Sequence, residues 1–390
     1  MLCFLAYHLN VESIAVEKMN RKLSLLLIPF IISLTSCVSE KDERQNEFFD
    51  SWNNCSALNA LKDYVEDVTN YNSKNYIPIE DRIATFDMDG TFIGELYPTY
   101  FEYNMLEYRV LDDPTYKDIA PADVVETAHN IRDFVTSGTK LPNYDADHGF
   151  DMKHAYAAAK AYAGMTIAEF DRYVKDYASN YANGFDGMRY RDSFYQPMLE
   201  VFNYLEDNGF TYYVVSGSDR FICRSLVESI GIPANRVIGM DVELKSTSQE
   251  DADGVNYTYK VSDDLVRTDN LLIKNLKTNK VKQIAQEIGK VPVLSFGNSG
   301  GDSAMHNYCL SNSSYKSAAF MLVADDDVRD HARKYVSSED DVHLETDEEF
   351  QARIDKLNSD WKSANYHVIS MKDDFKTIYG DGVTKTEFAF

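Results

Sequence analysis

Arg82-Ile-Ala-Thr-Phe-Asp-Met-Asp-Gly-Thr-Phe-Ile-Gly-Glu95 is the stretch on which the reading of this chain turns. Ile83 to Phe86 is a short apolar run with β-branched residues that stops at two acids and a glycine. A run of that length, bounded by a turn signal, reads as a buried strand. Its end presents Asp87 and Asp89, with Gly90 letting the backbone turn sharply. In open α/β sheets the carboxyl ends of the strands are where ligands bind. One carboxylate can attack while its neighbour shuttles a proton, and both lie within reach of a divalent cation. Taken alone, the pair also reads as an acidic turn capping a strand.

Three later stretches bear on that choice. Phe210 to Val215 reads as a strand ending in Ser216-Gly217-Ser218, and helical periodicity resumes from Asp219 to Ile230. Strand, small-residue turn and helix amino terminus together make an anion site from N–H groups, a dipole end and a hydroxyl. Lys274, Lys277, Lys280 and Lys282 precede an amphipathic helix carrying Val281, Ile284, Ala285 and Ile288. Most of these lysines read as solvated surface. Val291 to Phe296 is another apolar strand, followed by Gly297-Asn298-Ser-Gly-Gly-Asp302 and a helix from Ser303.

Between the first strand and Phe210 the pattern is largely helical. An aromatic-rich segment holds Tyr97, Tyr100, Phe101, Tyr103 and Tyr108, and residues 123–182 include an alanine-rich stretch from Ala155 to Ala163. Met198, Val201, Phe202 and Leu205 mark one helical face, with Gly209 as its stop. Before the first strand, Leu58, Leu61, Tyr64, Val65 and Val68 have helical spacing. Residues 233–275 read as β-rich and irregular.

DMDGT after an apolar strand, with Ser216, a lysine and the 297–302 turn following in order, resembles the four motifs of the haloacid dehalogenase (HAD) superfamily, most of whose members are phosphatases. The likeness covers roughly residues 50–380. It implies a doubly wound, mostly parallel α/β sheet with an inserted helical type 1 cap. It divides the chain into core at 50–95, cap at 96–195 and core again at 196–390. It also implies a Mg²⁺-dependent phosphomonoesterase acting on a small phosphorylated metabolite through an aspartyl phosphate. Asp87 is then the nucleophile and Asp89 the acid and base. Ser216, Gly217 and Lys280 hold the phosphoryl group, Lys280 being preferred to Lys274. The metal falls to Asp87, Asp89, Asn298 and Asp302. Asn298 departs from the more usual GDGxND form, although GNSxGD occurs in an exported branch related to phosphoserine phosphatase. Glu95 stands near where related phosphatases read a substrate amino group. Two rival readings are a lipid-anchored binding protein that has lost catalysis and a HAD dehalogenase, in which Asp89 has no role.

Acids outnumber bases 63 to 39, for a net charge of −24. That argues against nucleic acid or an anionic membrane surface as partners. An anionic substrate must be drawn in by local cations or a metal. The charge says nothing of oligomeric state. Arg21 and Lys22 precede the apolar run Leu23 to Leu34, too short for a stable membrane span. Leu34-Thr-Ser-Cys37 resembles the lipobox of bacterial lipoproteins, which implies a signal peptide at 1–37, lipidation at Cys37, a tether at 38–49 and export to a membrane face. Met19 is a better signal start than Met1. Cys55, Cys223 and Cys309 remain, too few and scattered for a disulfide framework or a zinc site.

Overall fold

The computed structural model describes residues 48–95, 99–142, 149–337 and 342–388. The expected leader, with Cys37 and most of the tether, lies outside them. Among the described residues, no helix is long and apolar enough to cross a membrane.

Helix α1 (Ser56–Thr69) buries Leu58, Leu61, Tyr64, Val65 and Val68 on the face that their spacing predicts. Strand β1 (Ile83–Phe86) follows, buried at all four positions. Four helices come next: α2 (Phe101–Leu111), α3 (Ala122–Ser137), α4 (Gly149–Ala161) and α5 (Ile167–Ala178). In α4 the alanines are the buried face, Ala155, Ala157, Ala158, Ala159 and Ala161, so small side chains let its neighbours approach closely. Thr166 and Glu169 close a capping box that starts α5. A two-residue strand β2 (Phe185–Asp186) and α6 (Gln196–Asp207) lead back to the sheet.

The rest of the sheet is β3 (Thr211–Asp219), β4 (Val237–Ser246), β5 (Leu265–Ile273), β6 (Leu294–Gly297), β7 (Ala318–Val323) and, after the hairpin β8 (Tyr335–Ser337) and β9 (Val342–Leu344), β10 (His367–Ser370). Helices α7 (Arg220–Val227), α8 (Thr278–Glu287), α9 (Ser303–Leu310) and α10 (Asp347–Ser363) intervene, and β11 (Thr384–Lys385) pairs with β2. The seven strands run in the order β10-β7-β6-β1-β3-β4-β5, parallel throughout except for the antiparallel β4–β5 pair. The chain is therefore an α/β protein with a mostly parallel, doubly wound sheet, and β1 sits at its centre. Covered on both faces, the central strands read as continuous apolar runs.

Register then decides what meets at the sheet edge. Phe86 pairs with Val214 on one side and Phe296 on the other. Its ring stacks on Phe296 at 4.3 Å, and Phe296 stacks on Phe320 at 4.9 Å. One or two residues beyond that aromatic row, the same edge carries Asp87, Ser216 and Asn298.

The helical segment docks against the edge strand β5. Gly164 N–H donates to the Arg267 carbonyl and Arg267 N–H to the Met165 carbonyl, each at 2.9 Å. This seats the α4–α5 turn on β5. The Arg267 guanidinium is fully buried over the Phe170 ring, 4.0 Å from its centroid.

Candidate active site

Asp87 N–H donates to the Phe296 carbonyl at 2.9 Å, so the ladder carries Asp87 to the edge itself. The chain then folds back, with Gly90 N–H donating to the Ile93 carbonyl at 2.8 Å. Gly90 has φ +76°, and a Cβ there would lie 2.0 Å from Nδ2 of Asn298. Both the turn and the approach of Asn298 require glycine. The motif's spacing thus serves the turn that follows β6 as much as its own.

Lys280, in the first turn of α8, brings the acids together. Its Nζ donates to Oδ1 of Asp87 at 2.5 Å and to Oδ1 of Asp302 at 2.7 Å, with all three groups buried. Asp302 is fully engaged. Its Oδ2 accepts the Asn298 N–H at 3.2 Å, the Ser299 N–H at 3.1 Å and the Ser299 hydroxyl at 3.2 Å. It therefore builds the 298–302 turn and shares the ammonium. Against the cost of burial, Asp302 and Asp87 hold the Lys280 ammonium charged well above its usual range. Burial, then the Asp302 carboxylate, push the Asp87 carboxyl up against the opposing pull of Lys280. Two acids and one cation leave an anionic site, suited to a further cation.

Asp89 faces other partners. The Ser218 hydroxyl donates to its Oδ2 at 2.7 Å. Its carboxyl is pushed up to about 6, first by burial and also by Glu102 and Glu95, against Ser218 and Lys274. Near neutral pH it can hold a proton and give it up, as a general acid and base must.

That shift has a consequence for stability. A carboxyl whose folded pKa lies above its ordinary 3.8 favours the folded state when protonated. The contribution is whole below about pH 4 and is lost as pH rises through about 6, by up to about 3 kcal/mol. With a chelator present, Asp89→Asn is expected to unfold at higher urea than the wild type at pH 8 and to match it at pH 4. Equal midpoints at pH 8 contradict the burial of a reluctant charge.

Ser216 and Gly217 lie within β3, which runs on to Asp219, whereas the sequence reading took Ser216-Gly217-Ser218 as a turn at the strand's end and began the helix at Asp219. The reason is a register shift against β4 between Val215 and Asp219, which lets the strand continue through the small residues. The first turn of α7 is capped by the Asp219 carboxylate, which accepts the Phe221 N–H at 2.9 Å. An acid occupies the helix end that was expected to greet an anion. Ser216 is fully buried, and its hydroxyl accepts the Ser218 N–H at 3.0 Å. At Gly217 a Cβ would lie 2.6 Å from the Leu276 side chain, so the missing side chain there serves packing. Glu95 accepts from the Tyr100 hydroxyl at 3.2 Å and lies 3.5 Å from Lys334 Nζ, so the chain itself supplies it a cation.

Sequence reasoning missed a buried ionic cluster beside Asp89. Glu102 of α2 accepts the Lys274 ammonium at 3.0 Å and the Asp219 N–H at 3.1 Å. Asp219 in turn holds Arg267 at 2.6 and 3.2 Å. His154 of α4 is fully buried with Nδ1 3.7 Å from Glu102, and burial keeps it neutral, its pKa pulled down to about 4. Lys274, the alternative to Lys280, is thus committed to the helical segment, and Lys280 is the lysine on Asp87.

No protein-family model matches the chain, and no curated protein matches it. Among solved structures it is similar to a conserved protein of unknown function from Anaerococcus prevotii, at 14% identity and TM-score 0.47, over 84% of this chain and 96% of that one. It is also similar to cytosolic 5'-nucleotidase IIIB bound to cytidine, at 12% and 0.42, over 75% and 80%. A third is a phosphoserine phosphohydrolase-like protein from Francisella tularensis, at 12% and 0.33, over 62% and 88%. At such distances these likenesses add nothing to what the sheet and its edge already say.

Proposed function

We propose that the chain is a phosphomonoesterase of the HAD superfamily, acting on a small phosphorylated metabolite through an aspartyl phosphate on Asp87. The observation that carries this reading is the convergence of Asp87, Asp89, Lys280 and the Asn298–Asp302 turn, from three separate stretches, on the carboxyl end of β1. Asp87 Oδ attacks phosphorus as the bond to the ester oxygen breaks. Asp89 gives its proton to that oxygen, and an alcohol leaves. Asp89, now a carboxylate, takes a proton from water as the water attacks the aspartyl phosphate, releasing phosphate and restoring Asp87. Lys280 offsets the charge that builds on the phosphoryl oxygens, and Ser216 lies at the edge where they gather. The Glu95 carboxylate, at the mouth of the site, is the candidate reader of a substrate amino group.

The donors present are all hard oxygens: the Asp87 carboxylate, the Asp89 main-chain carbonyl, the Asn298 carboxamide and Asp302. Mg²⁺ takes such ligands and keeps several waters, needing one or two carboxylates. The excess of acid over cation around Lys280 fits a resident divalent ion. When bound, it supplies positive charge that orients the phosphoryl group and screens Asp87 from it. Asp302, with both oxygens engaged, would reach it through water.

Turnover of a panel of phosphate monoesters, with Mg²⁺ and with a chelator, tests the function. Phosphate release that needs the metal supports it. No release from any ester favours the rival reading of a binding protein without catalysis. Asn298 brings no charge, so loose Mg²⁺ binding is expected. Asn298→Asp should lower the Mg²⁺ concentration for half-maximal activity by roughly tenfold, one carboxylate's worth of attraction. Weaker metal dependence in that variant removes Asn298 from the site.

We further propose that the mature chain is exported and anchored by lipid on Cys37, a reading that rests on the lipobox-like Leu34–Cys37 stretch alone. Cys37→Ala should move the protein from the membrane fraction to the soluble one. A wild type that is itself soluble ends the proposal.

A further inference from the structure

We propose that Ser218 is a positioning residue that decides which oxygen of Asp89 carries the proton, and that Glu102 of the helical segment, anchored by Lys274, holds Ser218 in place. The inference rests on the phosphatase reading above and deepens it.

A protonated carboxyl has one strong acceptor oxygen, the carbonyl-like one, and one O–H donor. Ser218 has one O–H, and it points at Oδ2 of Asp89 at 2.7 Å. This is the one hydrogen bond made by the Asp89 carboxylate among the described residues. With Oδ2 accepting, the proton is placed on Oδ1. When Asp89 gives up that proton to the leaving oxygen, the same bond persists and stabilises the carboxylate. Ser218 therefore favours proton delivery from one oxygen in one direction, which is what orientation of a general acid requires.

Ser218 is itself over-determined. The register shift between Val215 and Asp219 re-aims the strand where it passes Asp89. Its N–H is taken by the Ser216 hydroxyl at 3.0 Å. Its carbonyl packs flat on β4, where a Cβ on Gly239 would come within 2.7 Å of it. The next N–H, that of Asp219, is held by Oε2 of Glu102 at 3.1 Å, and the Asp219 carboxylate is held by Arg267. The other oxygen of Glu102 is anchored by Lys274 at 3.0 Å. Glu102 and Lys274 are both about 5% exposed at the side chain. A buried ion pair is weak evidence of stabilisation, since apolar replacements of both partners are often as stable. Its place here, one peptide from the group that touches Asp89, gives it a positioning role.

The readout is the leaving group. p-Nitrophenolate departs with little help from an acid, whereas an alkoxide needs its proton. Turnover of p-nitrophenyl phosphate and of ethyl phosphate is compared for wild type, Ser218→Ala, Ser218→Thr and Glu102→Gln, each with Mg²⁺ present and its folding checked by circular dichroism. Ser218→Ala is expected to lose kcat on ethyl phosphate by at least about tenfold more than on p-nitrophenyl phosphate, a fraction of what general acids contribute. KM should be little changed. Ser218→Thr, which keeps a hydroxyl, should restore the alkyl ester. Glu102→Gln should show the same selective loss to a smaller degree. Equal losses on the two esters, or none, overturn the inference while leaving the phosphatase reading intact. A wild type that releases phosphate from no ester of the panel overturns both.

Discussion

Asp87→Asn is expected to lose about 10⁴-fold or more in kcat/KM while keeping the wild-type fold. A carboxamide is a poor nucleophile, and nothing else within the cluster can replace the lost oxygen. Asp89 is turned toward Ser218, and Asp302 is occupied by its own turn. The fold should survive because asparagine keeps an oxygen for Lys280, while Asp302 still balances its charge. Losing a carboxylate that burial already disfavours also removes a cost. A variant with more than a few per cent of the wild-type rate means that the nucleophile lies elsewhere.

Lys280→Met is expected to lose both activity and stability. Its ammonium is buried between two buried carboxylates, and removal of one partner of such a set destabilises by about 3–5 kcal/mol. Activity should fall by about 10³-fold or more, since the charge offsetting the phosphoryl oxygens is gone. The stability loss should shrink as pH falls, because the Asp87 carboxyl, which burial pushes up, then protonates and needs no cation. Adding Asp302→Asn should recover part of the stability and none of the turnover. Urea midpoints for the single and double variants at pH 5 and pH 8 check this. A Lys280→Met protein as stable as the wild type at pH 8 would show that the ion cluster is not the site's scaffold.

The legible part of this molecule was the part written in short continuous stretches. An apolar run ending in Asp87-Met-Asp89-Gly90 is both a strand and its terminus, so the central strand of the sheet could be read directly. The 297–302 turn was legible for the same reason, although its inward use of Asp302 was not. Lys280 could be chosen only by resemblance, because four nearby lysines look alike and only the fold decides which one reaches Asp87. The roles that Glu102, Lys274, Ser218 and Asp219 play were invisible. Glu102 lies 172 residues from Lys274 and 117 from Asp219, and Ser218 lies 129 from Asp89. A glutamate in a helix reads as solvated surface unless its distant partner is known. Asp219 misled in another way. It was read as the opening of a helix that would offer its N–H groups to an anion, whereas its carboxylate closes that end.

Whether Asp87 becomes phosphorylated is the claim on which the account stands. The direct measurement is to mix the Mg²⁺-loaded protein with an excess of a turned-over phosphomonoester, quench in acid within the first turnovers, and reduce with borohydride. An aspartyl phosphate is converted to homoserine, which peptide mass spectrometry locates. The account predicts homoserine at residue 87 and none in protein treated without ester. Turnover with aspartate intact at 87, or with the reduced residue at Asp89 or Asp302, would contradict it.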